Sequence, residues 1–495
     1  MSPSSLSTFS TAKQMLGALR QRKISAVELL ELHLAQIEKH NPRLNAIVIP
    51  NYEAARQEAQ ATDESRQAGQ EASLLGLPFT VKDWIEVEGL PSTAGDPQLK
   101  GYIAKKDNAI VSRLRQAGAI LFGKTNMAPW GGDWTADNPV FGRTNNPWNL
   151  DFTPGGSTGG GAAAVAAGLT PLEFGNDIGG SVRVPPAFCG VYGHRPSETA
   201  WPRAGQTPDF SGQHLPNPVT AFGVVGPLAR SAEDLEMALH TACGPEVGEG
   251  TAWRLELPPA RHLRLADFRV ALLPPVPWLP VDEAILAAQE RLVEGLGRLG
   301  THVETVQPES FDDLHEFTRL YHRLLVVQMT SGMPKQTRRR IARWAHKAAR
   351  ERDDEIIEAG AQAFEADAAD YIQWFGRREQ FRAAYRAFFQ DWDILLTPVT
   401  FSLAFRHSDA PPEVDMDDRT LTVNGQPVRY RLLEVYPGLA TLCGQPATVF
   451  PFGMAPSGLP VGLQAIGPYL EDYTPLRFAA LVAQEFGGYQ APPGY

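Results

Sequence analysis

Cysteine is scarce in this chain. The 495 residues contain three, Cys189, Cys243 and Cys443, too few for a disulfide framework and without metal-ligand spacing. Long apolar runs are missing as well. No window approaches the roughly 18 consecutive apolar residues of a membrane span, and the small-residue stretch GAAAVAAGL (161–169) is short. Basic charge is in deficit, with 45 Lys and Arg against 56 Asp and Glu and a net charge of −11. That balance argues against a nucleic-acid groove, which needs a basic surface to displace counterions. The densest basic run, KQTRRRIARWAHKAARERDDE (335–355), is followed at once by acids and reads as a solvated, charge-paired helix. The eleven histidines form neither an HExxH pattern nor a cluster, so no metal is implied. The first residues, MSPSSLSTFSTAKQML, lack a charged start followed by an apolar stretch, so no secretory signal is expected. The expectation is a cytoplasmic protein with no membrane, nucleic-acid, metal or cofactor partner.

What is present reads as an ordinary globular composition, 43% hydrophobic and 20% charged. The length exceeds one usual core and predicts two to four units. In ISAVELLELHLAQIEKHNP, Ser25 and Glu28 have capping-box spacing, and Asn41-Pro42 is read as the helix end. A polar helix follows from Tyr52, then a short buried strand, Phe79 to Lys82. AIVSRLRQAGA (109–119) suits a helix, ILFGKTN a strand end and GAAAVAAGL another helix. Such alternation predicts an α/β protein. From about Ser310 to Trp392 the chain turns helix-rich, charged and aromatic. DILLTPVTF (393–401) then reads as a buried strand and residues 446–468 as a hairpin with a Pro-Ser-Gly turn. The expected organisation is N-terminal helices (1–70), a core (71–309), a helical insert (310–392) and the rest of the core (393–495).

Three stretches compete for chemistry. TPGGSTGGGAAAVAAG (153–168) invites a phosphate-loop reading, but alanines stand where the Walker pattern needs Lys-Ser/Thr. It also matches G-x-S-x-G at Gly155, Ser157 and Gly159, yet its lead-in NNPWNLDFTP is turn chemistry rather than the strand that a nucleophile elbow requires. In NDIGGSVRVPP (176–186), two glycines precede Ser181 and two prolines follow that read against a helix. Small residues before a serine can aim several backbone N–H groups at one point, as acyl transfer needs for its oxyanion. Lys82 ends an apolar strand next to Asp83, and burial there would push its amine toward neutrality.

Together these stretches resemble the amidase signature family. The resemblance rests on Lys82 in GLPFTVKD, Ser157 in TPGGSTGG and Ser181 in GNDIGGSVRVPPAFCG. AGAILFGKTNM (117–127), NNPWN (145–149), GLPVGLQAIGP (458–468) and the separation of the two serines add to it. It runs from the N-terminal helices to about Gln484. It implies a large mixed, twisted β-sheet covered by helices on both faces, with a helical insert. It also implies a Ser-Ser-Lys triad: Ser181 as nucleophile, Ser157 as bridging serine after a cis peptide at Gly156–Ser157, and Lys82 as base. The oxyanion hole would be the N–H groups of Ile178, Gly179, Gly180 and Ser181, with Asp177 and Arg183 a loop-stabilising pair.

The chain departs from the family at Asn176, where threonine is usual, at Thr158, where a second serine is usual, and at His194, where an apolar residue is usual. After GKTNM it continues APWGGDW, which would put Met127, Trp130 and Trp134 near the substrate entrance, with core packing the alternative for the two tryptophans; if they line the pocket, they favour an apolar or aromatic substrate. The expected activity is hydrolysis of a small-molecule carboxylic amide, with aryl amides, carbamates and amide oligomers within reach. The alternative is an amidotransferase-complex component releasing ammonia for a partner protein. A homodimer is left open, and the pocket shape is assigned to the insert and to loops near 200–220.

Overall fold

The computed structural model describes residues 6–205, 221–246, 248–309, 311, 314–408 and 416–495. Its centre is an eleven-stranded mixed sheet. In chain order the strands are β1 (Ile47–Pro50), β2 (Pro78–Lys82), β3 (Ile120–Thr125), β4 (Leu172–Asp177), β5 (Tyr192–Arg195) and β6 (Val224–Ala229). They continue with β7 (Arg269–Leu272), β8 (His302–Thr305), β9 (Ile394–Pro398), β10 (Ala447–Met454) and β11 (Pro460–Ile466). The spatial order is β1-β3-β2-β4-β6-β5-β10-β11-β9-β7-β8. Strand β2 runs parallel to both β3 and β4, whereas β4, β6, β5, β10, β11 and β9 alternate antiparallel. Every residue of β2, β3, β6, β9 and β11 is buried, which is why these strands read as near-continuous apolar runs without alternation. One buried apolar cluster joins the N-terminal helices, the sheet and the helices after residue 314, from Ala12 to Val482.

Local chemistry explains most elements. Ser25 caps the helix Ala26–Leu44 with the reciprocal Glu28 bond that the spacing predicts. That helix does not stop at Asn41-Pro42: it runs on to Leu44 and closes on Asn45, which takes the left-handed conformation at φ 53°. Pro42 falls in the last turn, where it interrupts little, and the Asn41 carboxamide accepts the N–H groups of Ala46 and Ile47 just past the end. The prolines after Ser181 are a second correction. They open the helix Val184–Cys189, occupying its first turn, where the missing N–H is not needed. The helical region before β9 consists of Leu314–Thr330, Lys335–Arg352, Glu355–Glu365 and Ala368–Asp391.

Candidate active site

Register brings the chemistry together. Parallel pairing sets Lys82 opposite Thr125 of β3, while Val81 lies opposite Phe174 of β4. The carboxyl ends of three neighbouring parallel strands therefore open at one edge, the place where α/β sheets hold ligands. Lys82 ends β2, and Asn176 and Asp177 end β4.

Ser157 reaches this edge from the glycine-rich loop before the helix Gly159–Ala166. The Gly156–Ser157 peptide is cis. A Cβ on Gly156 would lie 2.3 Å from the Thr135 carbonyl oxygen, and one on Gly161 would lie 2.5 Å from Glu173 Cγ. These glycines allow backbone to pack directly on its neighbours, a close-approach role rather than a phosphate cradle. Ser181 follows Gly180, whose φ of 100° turns the chain back toward Ser157.

The three side chains form one chain of contacts. Lys82 Nζ lies 2.6 Å from Ser157 Oγ, and Ser157 Oγ lies 2.8 Å from Ser181 Oγ. Lys82 Nζ also donates to Asn176 Oδ1 at 2.5 Å. All three triad candidates are buried, Lys82 completely and Ser181 to 6% exposure. Burial pushes the Lys82 amine down to about 7, against Asp177, Glu173 and Asp83, which act to raise it. Burial likewise pushes the Glu173 carboxyl up to about 8, despite hydroxyl donors from Thr80 and Thr125.

Asp177 differs. Burial acts to raise it, but Arg183 and Arg195 outweigh that and hold it at about 2. Arg183 grips the carboxylate with Nε at 3.0 Å and Nη2 at 2.9 Å, a bidentate pair. It also donates to the Pro437 carbonyl, Gln464 Oε1 and Thr441 Oγ1, so it ties the serine loop to the helix Val435–Thr441 and to β11. Asp177 in turn accepts the N–H groups of Gly180 and Val182, each at 3.1 Å. The sequence expectation aims the Gly180 N–H at the substrate, whereas here Asp177 already holds it. Two side chains pin carbonyls of the same loop. Tyr321 donates to Ile178 O at 2.8 Å, and Trp134 Nε1 donates to Gly179 O at 3.1 Å. In a trans peptide the N–H points opposite the carbonyl, so Tyr321 orients the Gly179 N–H away from itself.

The sequence-predicted entrance residues separate. Trp134 is nearly buried and braces the loop from below. Trp130 is 43% exposed and meets Trp84 edge-on at 6.0 Å. Met127, two residues past β3, is completely buried and offers no surface to a substrate. Sequence reasoning passes over Trp84, although it stands two residues after Lys82. It also passes over Gly131, where a Cβ would come 3.4 Å from Ser157 Oγ, and Tyr321. Met329, 47% exposed, reaches within 3.9 Å of the Cβ position of Gly132 beside it. His194 is buried between Thr448 and Asp472, a structural contact of β5 with β10. Thr158 is buried, with its side chain over Gly175. Residues 206–220 of the loop assigned to the pocket lie outside the described residues. Among the described residues no cluster of His, Cys, Asp or Glu could hold a metal ion, and no helix is long and apolar enough to cross a membrane.

A large mixed sheet with a lysine–serine–serine chain at its parallel edge defines a hydrolase-type α/β architecture. The amidase family model matches residues 28–476, and the chain belongs to that family. Its activity is hydrolysis of carboxylic amide C–N bonds. It is 32% identical to an indoleacetamide hydrolase of Bradyrhizobium diazoefficiens, over 96% of this chain and 86% of that protein. It is also 32% identical to a component of the glutamyl-tRNA(Gln) amidotransferase of an Anaeromyxobacter species, over 95% of each chain. A bacterial aryl acylamidase structure of the amidase signature family superposes with a TM-score of 0.79 at 25% identity, covering 98% of this chain and 99% of that one.

Proposed function

We propose that the protein cleaves an amide bearing an apolar, aromatic group through a Ser-Ser-Lys triad and an acyl-enzyme. The observation that carries this reading is the unbroken contact chain from Lys82 Nζ through Ser157 Oγ to Ser181 Oγ. Neutral Lys82 takes the Ser157 proton as Ser157 takes that of Ser181, and Ser181 Oγ attacks the amide carbon. The N–H groups of Ile178, Gly179 and Ser181 receive the developing oxyanion, while Gly180, held by Asp177, keeps the loop in shape. The proton returns from Lys82 through Ser157 to the leaving nitrogen, which departs as a neutral amine. Water, activated along the same chain in reverse, then hydrolyses the Ser181 ester.

The aromatic preference rests on Trp84 and Trp130 beside Gly131, which faces Ser157, and on Met329 beside the neighbouring Gly132. Indoleacetamide and aryl acylamides, named for two relatives, each join an amide to an aromatic ring. A fluorophosphonate probe followed by peptide mapping is expected to tag Ser181. Labelling of Ser157 alone overturns the assignment and returns the glycine-rich loop to an elbow-type reading. The second reading, an ammonia-releasing component of an amidotransferase, is favoured by the full-length similarity to the glutamyl-tRNA(Gln) amidotransferase chain. Turnover of an anilide by the purified chain, eluting alone from a sizing column, decides against it.

A further inference from the structure

Asn176 is the departure from the family pattern that the triad itself does not use. Its Oδ1 lies 2.5 Å from Lys82 Nζ, closer than Ser157 Oγ at 2.6 Å. We infer that Asn176 is a positioning residue that keeps the lone pair of Lys82 turned to Ser157 and holds the ammonium formed when the proton arrives. This rests on the triad reading above.

The donors and acceptors at the amine fix its orientation. A carboxamide oxygen only accepts hydrogen bonds. At the Asn176 contact Lys82 must therefore donate in both of its protonation states. The neutral amine has two N–H bonds and one lone pair. With one N–H fixed on Asn176, the lone pair stays free for the hydroxyl proton of Ser157. A hydroxyl in the place of Oδ1 could instead direct its own proton at the lysine and occupy that lone pair.

Charge makes the same point. The ionisable groups facing Lys82 are Asp83, which follows it just past the end of β2, and Glu173 and Asp177 on β4. Asp83 is engaged by Thr93 and by Lys124 at 3.5 Å, and Asp177 by Arg183 and Arg195. Glu173 is bonded to Thr80 and Thr125. The direct partner of the lysine is thus a neutral oxygen, which stabilises the ammonium without fixing it. Strand geometry sets the reach: Val81 pairs with Phe174, and Asn176 stands two residues further along β4, beside the end of β2.

The test follows the rate of Ser181 labelling by a fluorophosphonate against pH in the full chain, with thermal melts to verify folding. Asn176→Asp, nearly isosteric, puts a carboxylate on Nζ and is expected to move the midpoint up by roughly one unit or more. Asn176→Leu removes the acceptor and is expected to move the midpoint down while lowering the plateau about tenfold or more. Opposite displacements distinguish orientation and charge from loose packing, which shifts neither midpoint. An unchanged midpoint in a folded variant, or displacement of both in one direction, overturns the proposal. If one variant does not fold, the direction seen in the other decides. Absence of Ser181 labelling in the unsubstituted protein at every pH counts against the triad reading instead.

Discussion

Two buried lysines on adjacent strands have different surroundings. Lys82 and Lys124 are both completely inaccessible to solvent, and burial lowers both amines, to about 7 and about 8. Lys124 pairs across the ladder with Val81, whereas Lys82 pairs with Thr125. Side chains alternate along a strand, so this one-residue offset sends the two amines to opposite faces of the sheet. Lys124 donates to the Pro91 carbonyl and to Ser92 Oγ, and Asp83 lies 3.5 Å away. Its acceptors surround it and lead nowhere. Lys82 has one amide oxygen and one hydroxyl, and that hydroxyl leads to a second hydroxyl, that of Ser181. Burial lowers a lysine; only a path for its proton makes it a base.

The largest effect should come from breaking the Lys82 side. Lys82→Ala is expected to reduce turnover by roughly 10³-fold or more while the protein still folds, since general-base assistance alone is worth roughly 10²–10⁴. The pH profile carries the sign. The folded amine sits at about 7, below an unfolded value of ~10.4. Activity should therefore rise as pH passes through about 7, because the neutral amine is the working form. Between that value and ~10.4 the unfolded chain binds the extra proton, so this group makes stability rise with pH across the window, and Lys82→Ala should remove that rise. Full activity at pH 7 in Lys82→Ala would mean that another base serves the serines.

The Lys124 side should break differently. Lys124→Met removes one partner of a buried ion pair and leaves Asp83 without its cation, at a cost of about 3 kcal/mol. Denaturant midpoints should fall, while the fluorophosphonate labelling rate per folded molecule stays close to that of the unsubstituted protein. A loss of labelling in the folded fraction comparable to that of Lys82→Ala would erase the distinction between the two amines.

Sequence makes part of this legible. Ser181 and Lys82 stand out because local features announce them: paired glycines before a serine, and a cation ending an apolar strand. The strands around them are readable too, since β2 and β3 carry short apolar runs that lead into their lysines. Contacts across the sheet are not readable. Asn176 and Lys82 are far apart in sequence, and only the β2–β4 register brings them together. Glu173 has no local signal at all, and its setting emerges only when Thr80 and Thr125 are found to donate to its carboxyl. Met127 and Trp134, expected near the substrate entrance, are buried, and the short stretch that carries them does not reveal which side chains face inward. The prolines at 185 and 186 mislead because their rule against helices lapses in the first turn.

The smallest expected effect is at the rim, where Trp130 contrasts with both lysines in being exposed. Its ring meets Trp84 edge-on and its indole N–H donates to Asp96 at 2.8 Å, which holds the ring in place beside Gly131. Trp130→Ala removes an aromatic wall without touching the proton path. An aromatic contact of this kind contributes about 1 kcal/mol, so KM for an anilide should rise about fivefold with kcat nearly unchanged. A short aliphatic amide, which cannot reach the ring, should lose far less. Equal losses for both amides would place Trp130 outside substrate recognition and leave the aromatic preference to Trp84 and Met329.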